Sequence, residues 1–261
     1  MKYLLDICFL ITALLLAFIK LSFAHTFSPS LTYLTASGNS SSFLFTVTNP
    51  ENRIIPLDIT IYDVSKDLDG KPIEGSEIID DFLIYPAQLL LQPGETTSVL
   101  VRWIGDPDIL QERTFTLFSR ELPLPLAVDT EAVIPDGIFA KITVLRNYGV
   151  RVYVAPAAAT SDIVIKSVDN VNKANGERKL VVTVFNQGKK HGKLMNAQLV
   201  VRSIMPDGLA DTAKQTVILT RTDIPGLATA IFANSLRRFV MPWPEQIPFG
   251  PVSVTLKNDQ N

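Results

Sequence analysis

Sulfur, imidazole and excess charge are what this sequence has least of. Its 261 residues include one cysteine, Cys8, and two histidines, His25 and His191. A lone cysteine excludes an intramolecular disulfide framework and any cysteine-based zinc site. Two histidines leave little for a histidine-rich metal centre. Charged residues make up 19% of the chain, and the formal net charge is −2. With no basic excess to neutralise a run of phosphates, a nucleic-acid binder is excluded. The 47% hydrophobic content argues against a disordered tail. Catalytic signatures are equally scarce. Gly70-Lys71-Pro72 and Gly192-Lys193-Leu194 lack the spacing of a phosphate loop, and no G-x-S-x-G elbow is present. Asp67-Leu68-Asp69-Gly70 begins like a calcium loop, but the later glutamate is missing and a β-turn is the expectation. The absences predict no enzyme, no cofactor, no metal and no small-molecule substrate.

The first 24 residues carry a different message. Lys2 precedes an apolar run from Ile7 to Ile19, and Ser22-Phe23-Ala24 closes the segment with small residues at alternate positions. That is the layout of a secretory signal peptide with cleavage after Ala24. The run is too short to span a bilayer, which takes about 20 apolar residues. Cleavage removes Cys8 and predicts an exported, thiol-free mature chain beginning at His25.

From there the chain alternates with a period of two. Phe43, Phe45 and Val47 share one face of a strand, as do Leu57, Ile59 and Ile61. Ser98–Trp103 and Arg113–Phe118 repeat the pattern, and Asn49-Pro50, Asp69-Gly70, Pro93-Gly94 and Asp106-Pro107 mark turns between them. Short alternating strands with turns at this spacing predict antiparallel sandwiches. Pro156-Ala157-Ala158-Ala159 reads as a linker, because proline removes a ladder donor. Beyond it the same grammar resumes through Lys179–Phe185, Ala197–Ser203, Leu236–Met241 and Val252–Leu256. The expected organisation is all-β: a β-sandwich domain over residues 25–155 and a second over 156–261. No internal repeat is evident.

Two readings of such a chain carry chemistry of their own. A mature amino-terminal His25 offers its amine and imidazole to copper, and His191 as a second imidazole would complete a copper brace of the kind used by oxidative polysaccharide-cleaving enzymes. A two-domain sandwich also suits an adhesin or structural surface module.

A third reading rests on a continuous stretch. Tyr85-Pro86-Ala87-Gln88-Leu89-Leu90-Leu91-Gln92-Pro93-Gly94-Glu95 is followed by Val99-Leu100-Val101-Arg102. Then comes Glu112-Arg113-Thr114-Phe115-Thr116-Leu117-Phe118-Ser119-Arg120-Glu121-Leu122-Pro123, a proline-interrupted loop to Gly137, and a long apolar strand from Ile138 to Val154. This resembles the periplasmic chaperones of chaperone–usher pili. The match covers most of the first domain and extends weakly into the second, through Val182–Asn186 and Pro248–Val252.

The resemblance implies two immunoglobulin-like sandwiches in an L- or boomerang-shaped arrangement. It implies a protein that lends a strand to pilus subunits and passes them to an outer-membrane usher, with self-association when free. Ile138, Ala140, Ile142 and Val144 alternate on one face and would be the lent strand. Alternation alone is equally that of an ordinary core strand. The resemblance also implies a basic cleft between the domains that holds a subunit's terminal carboxylate. Arg151, just before the inter-domain proline, stands in the anchoring place. The first strand, Ser30–Thr35, has no basic residue, so Arg146, Lys141 or Arg102 stands for the second anchor. Arg102 and Glu112 are further expected to form an inter-domain charge network with Glu245.

Overall fold

The computed structural model describes residues 25–123, 144–204 and 216–257. Among them every element is β except one turn of 3-10 helix at Asn39–Ser41. The first part holds β1 (Thr26–Ser28), β2 (Leu31–Thr35), β3 (Ser42–Thr48), β4 (Ile55–Lys66), β5 (Pro72–Glu77), β6 (Phe82–Tyr85), β7 (Gln88–Leu91), β8 (Thr96–Trp103), β9 (Arg113–Glu121) and β10 (Asn147–Ala155). The second holds β11 (Ile163–Asn172), β12 (Arg178–Asn186), β13 (Gln198–Ser203), β14 (Thr216–Leu219), β15 (Ser235–Pro242) and β16 (Val252–Lys257).

These strands make two sandwiches. In the first, a sheet ordered β1-β3-β8-β6 faces a sheet ordered β2-β10-β9-β4-β5, with β7 also on β4. Period-two alternation turns one side of each strand inward. Phe45 and Val47 from β3, Val99 and Val101 from β8, Phe115 and Leu117 from β9, and Val150 and Val152 from β10 share one core. Fully burying a side chain of this size is worth about 1.5–3 kcal/mol. In the second, β11-β12-β15 packs on β14-β13-β16 around Leu180, Val182, Leu199, Val201, Phe239 and Met241. Asp67–Gly70 is the tight turn between β4 and β5, closed by Gly70 N–H donating to Asp67 O at 2.9 Å.

One strand has two different surroundings. β10 is antiparallel to β9 along Asn147–Val154, but β2 pairs with it, in parallel, only over Arg151–Ala155. Among the described residues, the edge of Asn147–Val150 away from β9 has no partner strand. The long apolar strand expected from Ile138 is seen here only from Asn147 onward. Ile138, Ala140, Lys141 and Ile142 lie outside the described residues. Val144, three residues before β10, is 65% exposed.

Each sandwich is laced at one end by a buried asparagine. Asn49 donates through Nδ2 to the carbonyls of Arg53, Leu91 and Gln92. Asn186 does the same to Lys190, Ile231 and Phe232. The second of these organises the loop that reaches the site described next.

Candidate functional site

β10 presents the site because its alternation is strict. Val150, Val152 and Val154 turn into the first core, so Arg151 and Tyr153 face the opposite way, toward the second sandwich. Arg151 lies between Leu31 of β2 and Thr116 of β9. It is half-buried, and its Nη1 is buried without a hydrogen-bond partner. Burial pulls the guanidinium below its ordinary value, with Tyr153 offsetting part of that shift. An unpaired buried cation is a costly arrangement unless an anion completes it.

Tyr153 is the hinge of the contact between the sandwiches. With Val64 it packs against Ala230 and Phe232 of the second sandwich. Its ring stacks on His191 at 4.1 Å and on Tyr33 of β2 at 5.4 Å. Burial pushes the Tyr153 hydroxyl up to about 12, so it stays a neutral phenol. His191 is held by Glu112, whose side chain is fully buried. The carboxylate takes the His191 backbone N–H at 3.0 Å and approaches ring Nδ1 at 2.8 Å. The Glu112 N–H donates in turn to Lys189 O at 2.8 Å.

A second contact runs through the β4–β5 turn. Arg238 of β15 donates from Nε and Nη2 to the two carboxylate oxygens of Asp69, each at 2.9 Å, and its backbone N–H donates to Leu68 O. Arg237 lies buried against Gly70, whose φ of +76° places it in the left-handed region. A Cβ there would overlap the Arg237 guanidinium. Arg237 Nε and Nη1 are buried and have no hydrogen-bond partner. Burial lowers the guanidinium, partly offset by Asp69 and Asp67.

Lys66 ends β4 between these two contacts. Its Nζ donates to Ala230 O at 2.6 Å and lies 4.6 Å from the centre of the Phe232 ring. Burial lowers it to about 8, and the charges of Arg151, Arg237 and Lys193 push the same way. It lines an inter-sandwich cavity of about 260 Å³ with Glu112, Arg113 and Phe232. The junction is therefore a partly desolvated cationic surface framed by aromatic rings, suited to an anion.

The expected site residues separate into groups. Arg151 is in the junction. Arg146 is at the other end of β10, about 16 Å away at strand rise, where it pairs with Glu51. Lys141 lies outside the described residues. Glu112 does reach the second sandwich, but through His191. Arg102, exposed on β8, and Glu245, exposed beyond β15, take no part in that contact, so the expected three-residue network is not formed. Glu112 is too deeply buried to meet two exposed groups.

The two histidines are also apart. His25 is buried against Tyr148, edge to face at 4.4 Å, whereas His191 stacks on Tyr153, five residues further along β10. Burial lowers the His25 imidazole, and Glu121 opposes that shift. The pair does not converge on one ion. Lys66, Arg237, Tyr33 and Tyr153 were not singled out by sequence. The parity of Arg151 and Tyr153 along one strand was the available signal for the last.

Searches by sequence match no protein-family model and no curated protein. The fold, in contrast, has many counterparts: it is the paired-sandwich fold of pilus chaperones. The class 5 fimbriae chaperone CfaA is 13% identical, with a TM-score of 0.53, over 90% of this chain and 99% of that one. A chain of the CsuC–CsuE chaperone–tip subunit pre-assembly complex, from archaic chaperone–usher pili of Acinetobacter baumannii, is 13% identical, with a TM-score of 0.51, over 90% and 97%. The YadV chaperone is 9% identical, with a TM-score of 0.50, over 91% and 94%.

Proposed function

We propose that this chain is a periplasmic chaperone that holds pilus subunits by lending them a strand and hands them to an outer-membrane usher. One observation carries the reading. Among the described residues, strand β10 joins an edge without a partner strand at Asn147–Val150 to a half-buried cation at Arg151 whose Nη1 has no hydrogen-bond partner. An exported subunit lacking a strand exposes backbone edges and an apolar groove, both aggregation hazards. Main-chain pairing on the open edge repairs the first, and apolar side chains from Ile138, Ala140, Ile142 and Val144 repair the second. Arg151 anchors the subunit's terminal carboxylate through a charge-assisted hydrogen bond.

With its end at Arg151 and its body along Asn147–Val150, the partner's last strand would run parallel to β10. The protein works by binding, without catalysis. Its domains divide at Ala155 and Pro156, a division supported by cores that draw on residues 34–154 and 180–247. Cleavage after Ala24 releases it into the periplasm. Free chaperone covers its lent strand by self-association.

The test is co-purification of tagged protein from the periplasm with a pilus subunit as a stoichiometric complex. Arg151→Ala or Ile142→Asp is expected to lower recovery of the complex at least tenfold while the chaperone stays folded. Undiminished complexes in both variants would overturn the mechanism.

A further inference from the structure

Among the described residues Arg237 is a buried charge with no counterpart. It stands on the inward side of β15, its guanidinium 5.3 Å from the centre of the Phe239 ring. Only 8% of the residue is exposed, and neither Nε nor Nη1 has a hydrogen-bond partner. The two carboxylates near it are already engaged. Asp69 gives both oxygens to Arg238, and Asp67 accepts the Lys71 N–H through Oδ1 at 2.8 Å. Leaving such a cation unanswered is costly, because burial strips its water and nothing replaces it.

The space around the guanidinium is kept clear by two glycines, one from each sandwich. Gly70 of the β4–β5 turn closes on Nη1, and Gly226 of the β14–β15 loop closes on Nη2. Both are in the left-handed region, at φ of +76° and +77°, and a Cβ on Gly226 would lie 2.8 Å from Nη2. A side chain at either position would fill the place beside the charge. Arg237 borders a cavity of about 460 Å³ together with Asp69, Gly226, Arg238 and Phe239. This cavity shares no lining residue with the one at Lys66 and Glu112, and Arg151 borders neither.

We propose that the Arg237 cavity binds a small inorganic oxyanion of the phosphate or sulfate class. Asp69 is neutralised by Arg238, so the uncompensated charge of the cavity wall is that of Arg237. A guanidinium offers its N–H donors in a plane that matches the oxygens of such an anion, an advantage a spherical halide does not share. The anion stands where the β4–β5 turn of the first sandwich meets the β14–β15 loop of the second, and ties the two together. Because it binds the folded junction and not the unfolded chain, it stabilises by mass action. The site makes no use of Arg151, so it stands whether or not the chain lends a strand.

The experiment titrates the mature protein with inorganic phosphate by calorimetry, in a zwitterionic buffer with chloride at matched ionic strength. One phosphate per chain is expected, displaced by sulfate and not by chloride. Arg237→Met should weaken phosphate binding about tenfold, the loss of a charge-assisted hydrogen bond. Without phosphate that variant should unfold at the same or a higher urea concentration than wild type, because it has shed an unpaired buried charge. Added phosphate should then raise the wild-type midpoint alone. Absence of saturable one-to-one binding in wild type would overturn the site, whether or not the variant folds. Displacement by chloride as readily as by sulfate would overturn the oxyanion. Loss of binding in Arg151→Ala with retention in Arg237→Met would put the anion at Arg151 and overturn the proposal.

Discussion

Glu112 and His191 are joined twice, once through the histidine backbone at 3.0 Å and once through its ring at 2.8 Å. The two residues belong to different sandwiches, and the glutamate side chain is fully buried. This pair, with the Tyr33–Tyr153–His191 stack beside it, holds the cationic junction in shape.

Removing the carboxylate should therefore loosen the junction. Glu112→Ala leaves the His191 N–H and ring without their acceptor in a buried place, with an expected loss of about 3 kcal/mol. His191→Phe keeps a ring on Tyr153 and the backbone hydrogen bond, so a loss of about 1 kcal/mol is expected. Urea unfolding of both variants measures the difference. Equal losses would mean that the ring contact, and not the carboxylate, carries the energy.

Gly70 offers a test of the second contact. Gly70→Ala adds a Cβ in the left-handed region and drives it into Arg237. Gly94→Ala is the control, since Gly94 has a φ of +75° with open space around it. The backbone cost, about 1 kcal/mol, is common to both. The Gly70 variant should lose at least a further 1 kcal/mol by thermal or urea unfolding, because buried Arg237 must move.

The buried asparagines should tolerate little. In Asn186→Asp the three carbonyls of Lys190, Ile231 and Phe232 would face a carboxylate that has no protons to give. Asn49→Asp does the same to Arg53, Leu91 and Gln92. Each is expected to cost at least 2 kcal/mol, about the desolvation penalty of an unsatisfied buried group. Since Asn186 shapes the loop carrying His191, only its variant should, on the proposed reading, also weaken subunit binding.

Stability should depend on pH through Lys66. Its folded value, about 8, is below its ordinary value near 10.5. Between the two the unfolded chain holds the proton and the folded chain does not, so stability rises with pH across that window. It is lost again as pH falls toward 8. Urea midpoints should thus increase from pH 8 to pH 10 in wild type, and this increase should be absent in Lys66→Met. An increase retained in that variant would assign the effect elsewhere.

The sequence made the sandwiches plain because alternation in β3, β4, β8, β9 and β12 is a local property, written into each strand. Arg151 was singled out through the family resemblance, by its place before Pro156. The junction's other members were not. Lys66 becomes part of it only because β4 runs on to its turn and meets Ala230, 164 residues away. His191 sits in a loop whose shape depends on Asn186 and on the Gly192–Ile231 bridge. The network expected among Arg102, Glu112 and Glu245 misassigned the partner because exposure is a tertiary property. Arg102 points outward from β8, while Glu112 precedes β9 at the junction.

The partial pairing of β2 with β10 has one more consequence. β2 occupies the same edge of β10 from Arg151 onward that lies open at Asn147–Val150. On the proposed reading, a subunit strand that pairs along Asn147–Val150, an edge with no partner strand among the described residues, would run into Leu31 and go no further. Its register would then be measured from its own end, as a rod is measured by pushing it against a stop. On that reading, subunits of unrelated sequence would all be seated at the same depth, because what would be read is where the chain finishes.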